Sequence, residues 1–180
     1  MKLVRPLAVA AAVLALGLVP AAAAVAQMMS PSVHFGATGG VSIPLGDFST
    51  GFQTGYLVSG LVEGRPGGFP VGLRGEVSYS GYTVKSGGFT NNILGFLGNA
   101  VVNFETPSSG AYLIGGLGIY HSSNSGLAGA ASSNDFGING GGGFRWPLGG
   151  MSTFAEARVH FVSTSGSSTT FLPIVFGVVF

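Results

Sequence analysis

Beyond residue 26 the chain alternates, residue by residue, between two kinds of position. Arg74, Glu76 and Ser78 alternate with Leu73, Gly75, Val77 and Tyr79. Glu156, Arg158 and His160 alternate with Ala155, Ala157, Val159 and Phe161, and Asn139, Gly141, Gly143 and Arg145 with Ile138, Gly140, Gly142 and Phe144. His34, Gly36, Thr38, Gly40 and Ser42 alternate with Val33, Phe35, Ala37, Gly39 and Val41. Period two is the signature of a strand with two different faces, because successive side chains point to opposite sides of a sheet. The pattern predicts eight strands near 33–43, 54–64, 71–82, 92–104, 110–121, 135–146, 152–163 and 170–180. No helical stripe competes with them, and no apolar run after residue 26 reaches the roughly 18–20 residues of a membrane helix.

The connections are of two kinds. Those at 65–70, 105–109 and 147–151 are short and rich in Pro or Gly, whereas 44–53, 83–91 and 122–134 are longer and polar. An even strand number with tight turns at one end and longer loops at the other predicts an all-β, eight-stranded, antiparallel, up-and-down transmembrane β-barrel. Composition decides which face points inward. Only 7% of the residues are charged against 46% hydrophobic, with 33 Gly and no Cys. Soluble domains carry roughly 25% charge, so a barrel with a water-facing exterior cannot be built from this chain. The apolar face is therefore expected to meet lipid. The narrow lumen is expected to take Gly, Ser, Asn and a few paired charges. The absence of Cys excludes a disulfide framework and thiolate metal sites.

Residues 1–26 have the layout of a secretory signal peptide. Lys2 and Arg5 precede the apolar run Leu7–Leu18, and Ala24-Val25-Ala26 forms a cleavage site. Residues 27–180 are then the barrel domain. With Lys2 and Arg5 removed, five Lys and Arg face six Asp and Glu, a formal charge of −1. That leaves no basic field for nucleic acid.

The last strand, Leu172-Pro173-Ile174-Val175-Phe176-Gly177-Val178-Val179-Phe180, resembles the final-strand signal of outer-membrane proteins. Its alternate positions Ile174, Phe176, Val178 and the terminal Phe180 carry the likeness. Gly40-Val41-Ser42-Ile43-Pro44-Leu45-Gly46-Asp47-Phe48-Ser49 with Gly55-Tyr56, Gly115-Gly116-Leu117-Gly118-Ile119-Tyr120 and Asn139–Gly143 resemble the small outer membrane protein β-barrel domain family, related in shape to the OmpA, OmpX and OmpW barrels. The resemblance covers about 33–180 and implies a place in the outer membrane, contact with its lipid and insertion by the barrel assembly machinery (BAM). It implies little about activity.

Three groups of residues could carry chemistry. Six charges lie on predicted strands: Glu63, Arg74, Glu76, Arg145, Glu156 and Arg158. By parity most face the lumen, with His34, His160, Asn99 and Asn103. They can form a fixed polar plug or a salt-bridge gate, and a plug suits so narrow a barrel better. The second group is His121, Ser123 and Asp135. A His and a Ser two apart on a strand share a face, so a base could meet a nucleophile. The string His121-Ser122-Ser123-Asn124 resembles the motif of the outer-membrane lipid A 3-O-deacylase. It departs from that motif in its distance from the C-terminus and in offering Asp rather than Glu. A Ser/Asn loop accounts for the same letters. Third, Phe35, Phe104, Phe144, Phe154 and Phe171 near strand ends are expected to form interface girdles, with Trp146 at the periplasmic rim.

No cofactor and no metal site is expected. The three His are not at ligand spacing. The expected protein is a monomeric, non-enzymatic outer-membrane barrel with a structural or surface-recognition role and periplasmic termini. The alternatives are a narrow porin-like channel for small or apolar solutes and, behind it, a lipid A-modifying hydrolase.

Overall fold

The structure, a computed structural model, describes residues 33–66, 70–87, 90–106, 109–125, 132–164 and 167–180. The expected signal peptide and residues 27–32 lie outside them. The elements are β1 (Val33–Leu45), α1 (Gly46–Gly51), β2 (Gly55–Gly64), β3 (Val71–Thr83), β4 (Thr90–Asn103), β5 (Gly110–Ser125), β6 (Ser132–Leu148), β7 (Met151–Thr164) and β8 (Ser167–Val179). Each strand pairs antiparallel with the next, and β8 pairs with β1 from Gly36↔Val179 to Leu45↔Thr170, closing the sheet. Closure leaves no open edge, so the backbone groups of the wall are bonded between strands and the wall can stand in hydrocarbon. The ladder between β7 and β8 is interrupted only where Arg158 and Val159 face Pro173 and Leu172. Proline has no N–H to give the ladder there.

The eight strands match the predicted segments to within a few residues. The larger differences are at one end. We call the end that carries Val33 and Phe180 the base and the opposite end the crown. At the crown, β5 and β6 stay paired up to Ser123↔Ser132, and Asn124 and Ser125 pair with β4, so strands occupy much of the predicted 122–134 loop. The predicted loop 44–53 contains α1, whose six residues are too few to show a helical period.

Outward positions are apolar over most of the wall. Phe35, Tyr56, Leu73, Phe96, Leu117, Ile119, Phe136, Ile138, Phe144, Phe161 and Phe176 are all exposed. Among the described strand residues, every Lys, Arg, Asp and Glu occupies an inward-parity position. The expectation for the lumen was incomplete. Small and polar residues do lie inside, but two apolar clusters lie there too. Leu61, Val101, Tyr112, Ile114, Phe154 and Val179 pack near the base, and Tyr82, Ile93, Leu97, Tyr120, Val162 and Phe171 near the crown. Phe154 and Phe171 are thus lumenal, not girdle residues, with exposures of 0% and 1%. Phe154 shares the parity of Glu156 and Arg158, and Phe171 that of Val175 and Val179.

α1 covers the crown. Phe48 and Phe52 pack on the upper cluster, with the Phe48 ring 5.0 Å from that of Tyr82. Lys85 Nζ donates to the Ser49 carbonyl at 2.7 Å, and Gln53 N to the Thr83 carbonyl at 2.9 Å. These bonds tie α1 to the end of β3.

Glycine is used differently on the two faces. A Cβ added to lumenal Gly40, Gly116 or Gly141 would overlap the backbone carbonyl of Ile174, Gly98 or Ala157 on the neighbouring strand. A Cβ on outward Gly39, Gly60, Gly98 or Gly140 would meet nothing. The concave side of a tightly curved wall brings neighbouring strands too close for side chains at these points. Gly141→Ala should therefore cost about 1–3 kcal/mol of stability. The adjacent Gly140→Ala should stay within about 0.5 kcal/mol of the parent protein. Urea unfolding of barrels refolded in lipid vesicles measures both.

Candidate functional site

The lumenal charges come from two opposite sides of the barrel. β2 and β3 supply Glu63, Arg74 and Glu76, while β6 and β7 supply Arg145, Glu156 and Arg158. Alternation places each group inward, and the register brings facing groups across the axis. Together they form one alternating chain of three cations and three anions. Arg145 Nη2 donates to Glu63 Oε1 at 2.6 Å, and Arg74 Nε donates to the same oxygen. Arg74 Nη1 donates to Glu156 Oε2 at 2.7 Å. Arg158 Nε lies 2.7 Å from Glu156 Oε1, and its Nη2 reaches both oxygens of Glu76 at 2.7 and 2.8 Å. Tyr112 adds a hydroxyl bond to Glu156 Oε2 at 2.7 Å. The order along the chain is Arg145, Glu63, Arg74, Glu156, Arg158, Glu76, and its net charge is zero.

The base cluster packs against this chain. The Arg74 guanidinium lies 5.0 Å from the Phe154 ring centroid and the Arg145 guanidinium 4.9 Å from that of Tyr112. Aromatic faces attract cations, and more so where water is absent. Around the chain, the Thr38 and Ser59 hydroxyls share a hydrogen bond of 2.7 Å, and those of Ser42 and Tyr82 one of 2.6 Å. Asn99 is buried in the lumen as expected, and Asn103 lines the base.

The two lumenal histidines stand apart from the chain. His160 is buried, 2.8 Å from the Tyr120 hydroxyl through Nδ1 and stacked on Phe171 at 4.8 Å, so it belongs to the crown cluster. His34 has lumenal parity but is exposed at the base, where Nδ1 donates to the Phe180 carbonyl at 3.0 Å. A vestibule of about 430 Å³ opens at the base between His34, Arg65, Asn103 and Met151, and Glu63 and Arg145 line it where the ion chain begins.

His121, Ser123 and Asp135 do not come together. His121 and Ser123 share the outward face of β5. Asp135 pairs with Tyr120 on the inward parity of β6 and accepts a bond from Ser133 at 2.6 Å. The His121 ring bonds instead to Asn134 Oδ1, at 2.8 Å. The carboxylate that was to orient the imidazole is therefore on the other face of the sheet. Parity carried this signal, since Asp135 is in step with Asn139 and Arg145. The same parity could have found Tyr112, Tyr120 and Phe154. The four terminal-strand residues Ile174, Phe176, Val178 and Phe180 all lie on the outward face, as their spacing predicts.

No sequence family matches the chain, and no curated protein does. Solved structures do. Neisserial surface protein A (NspA) is 16% identical over 83% of this chain and 97% of its own, with a TM-score of 0.60. The Yersinia pestis outer membrane protein Ail in a phospholipid bilayer nanodisc is 12% identical over 82% and 99%, with a TM-score of 0.54. The N-terminal β-barrel domain of Pseudomonas aeruginosa OprF is 17% identical over 84% and 98%, with a TM-score of 0.52. At these identities the likeness concerns the fold, which is that of the small eight-stranded outer-membrane barrels.

Glu156 sits at the middle of the ion chain and holds two arginines and a tyrosine. Glu156→Ala takes one of two carboxylate partners from each of Arg74 and Arg158 and leaves a net positive charge in the lumen, and it should cost about 3–5 kcal/mol. Heat-modifiable migration on a gel and the urea midpoint measure the loss, and a change below about 1 kcal/mol would speak against a desolvated chain.

Proposed function

We propose that this protein is a sealed outer-membrane barrel with a structural or surface-recognition role, rather than a channel or an enzyme. The observation that carries the reading is the filled lumen. An ion chain spans it from β2 and β3 to β6 and β7, and apolar clusters lie towards the base and the crown. Phe48 of α1 and Phe52, just after it, pack over the crown cluster. A passing ion would have to separate buried charge pairs, which costs several kcal/mol per ion. A passing apolar solute would have to displace close-packed rings. The outward wall supports the membrane location. It exposes large apolar side chains and no formally charged strand residue, which suits hydrocarbon and not water.

In this reading the chain is exported by the segment 1–26, and BAM inserts the barrel by reading Ile174, Phe176, Val178 and Phe180. It works as a monomer with both termini in the periplasm. The base then faces the periplasm and the crown faces outside, so recognition falls to the crown loops and hairpins. The non-enzymatic reading draws on the separation of Asp135 from His121 and Ser123. Purified barrel in planar bilayers should give no conductance steps at physiological salt. Regular steps that follow protein addition would overturn the sealed barrel in favour of a narrow channel.

A further inference from the structure

One level of the lumen carries more hydrogen-bonding groups than the protein itself pairs. The register aligns Arg74, Asn99, Gly116, Asn139 and His160 as one inward row across β3 to β7. Asn99 and Asn139 are 4% and 6% exposed, and Arg158 and His160 are buried as fully. Among the described residues, neither end of the Asn99 amide has a hydrogen-bond partner, and neither Arg158 Nη1 nor His160 Nε2 has one. The Asn139 amide has only the neighbouring Tyr120 hydroxyl, which His160 Nδ1 already holds at 2.8 Å. The other donors of the Arg158 guanidinium are taken by Glu76 and Glu156.

A buried donor or acceptor left bare costs its whole desolvation, and native interiors leave very few of them so. This row gathers several, and a barrel folded by a modest margin cannot carry them all. They do not satisfy one another, although Asn99 Oδ1 accepts while Asn99 Nδ2 and Arg158 Nη1 donate. A partner for the set must therefore both donate and accept. It must be neutral, because the three cations and three anions of the ion chain already cancel, and a further ion would be uncompensated. It must also be small. On β4, Asn99 lies between Val101 of the base cluster and Leu97 of the crown cluster, and on β5 Gly116 lies between Ile114 and Tyr120. The short side chains thus occupy a thin polar level between two apolar ones.

We propose that this level of the lumen binds a few ordered water molecules, bonded to Asn99 and Asn139 on the wall and to Arg158 Nη1 and His160 Nε2 on β7. Buried water makes two to four hydrogen bonds to polar groups of this kind and brings no charge. It completes the bonds that the ion chain leaves open, and the apolar clusters enclose it towards the base and the crown. The inference rests on the sealed-barrel reading and deepens it: the barrel is closed to solutes but hydrated at its middle.

The test uses the full chain refolded in lipid nanodiscs. Water-to-protein cross-relaxation in NMR should show water in contact with the side-chain amide protons of Asn99. Asn99 is the reporter because no hydroxyl is bonded to it, so a contact relayed through a hydroxyl proton is avoided. Asn99→Leu removes the amide at nearly equal volume. It should keep the heat-shifted gel migration and lower the urea midpoint, because the water loses a partner. An amide that is bare in the parent protein would give the opposite shift, since an apolar side chain then fits better. No water contact at Asn99 in the parent, or a raised midpoint in the variant, overturns the proposal. The first measurement needs no variant and stands even where Asn99→Leu does not fold. Conductance in planar bilayers would sink the sealed barrel and leave the water contact in place, so the two readings fail separately.

Discussion

An ion drawn into the lumen of this barrel gives up most of its hydration. The lumen of eight strands is just wide enough for side chains, and the wall around it stands in hydrocarbon. Six charges in that space must neutralise one another, and they do so in one unbroken order from Arg145 to Glu76. A buried pair need not stabilise a protein over an apolar core of the same shape. What it does is penalise every arrangement in which a partner is missing. A register slip of one residue on β3 would turn Arg74 and Glu76 out into lipid and leave Glu63, Glu156, Arg145 and Arg158 without them. The chain thus selects one register for the sheet as well as filling its axis.

The rest of the lumen follows from that choice. Four strands supply charge, and the clusters around Phe154 and Phe171 occupy the remaining space. The rings of Tyr112 and Phe154 flank two of the guanidiniums, so aromatic packing and ion pairing are not separate layers but one contact. Large side chains on some inward positions need empty space on others. Lumenal glycines such as Gly141 and Gly143 provide it where strands approach closely, Gly143 beneath the Tyr112 ring. The wall outside is then free to be apolar everywhere except at the crown, where Asn and Ser replace Phe, Ile and Leu.

Alternation made much of this legible. Period two placed most of the six charges on the lumenal face, gave the strand count and set the outward row of the last strand. It stopped short in three places, each for a physical reason. Phe154 and Phe171 lie near strand ends, where an aromatic side chain suits either a lipid girdle or a lumenal plug. Type alone cannot separate those, though parity with Glu156 and Val175 could. α1 is one short turn of Gly, Asp, Phe, Ser and Thr, and it is held by Tyr82 and Lys85 rather than by its own propensity. The upper β5–β6 hairpin is Ser and Asn, which reads as loop, yet cross-strand pairing carries it well beyond the apolar wall. The grouping of His121 with Asp135 failed for a related reason. It was made from residue types, and the sheet puts them on opposite faces.

The central claim is that the lumenal charges hold the barrel as partners and not as individuals. A double-mutant cycle on Glu76 and Arg158, the far end of the chain, tests it most directly. Arg158→Met strands the Glu76 carboxylate, and Glu76→Met leaves the chain with three cations against two anions, so each should cost about 3–5 kcal/mol in urea unfolding from lipid vesicles. The double variant leaves a neutral chain of Arg145, Glu63, Arg74 and Glu156. It should recover most of the loss and lie within about 1–2 kcal/mol of the parent protein. Losses that simply add in the double variant would contradict the account.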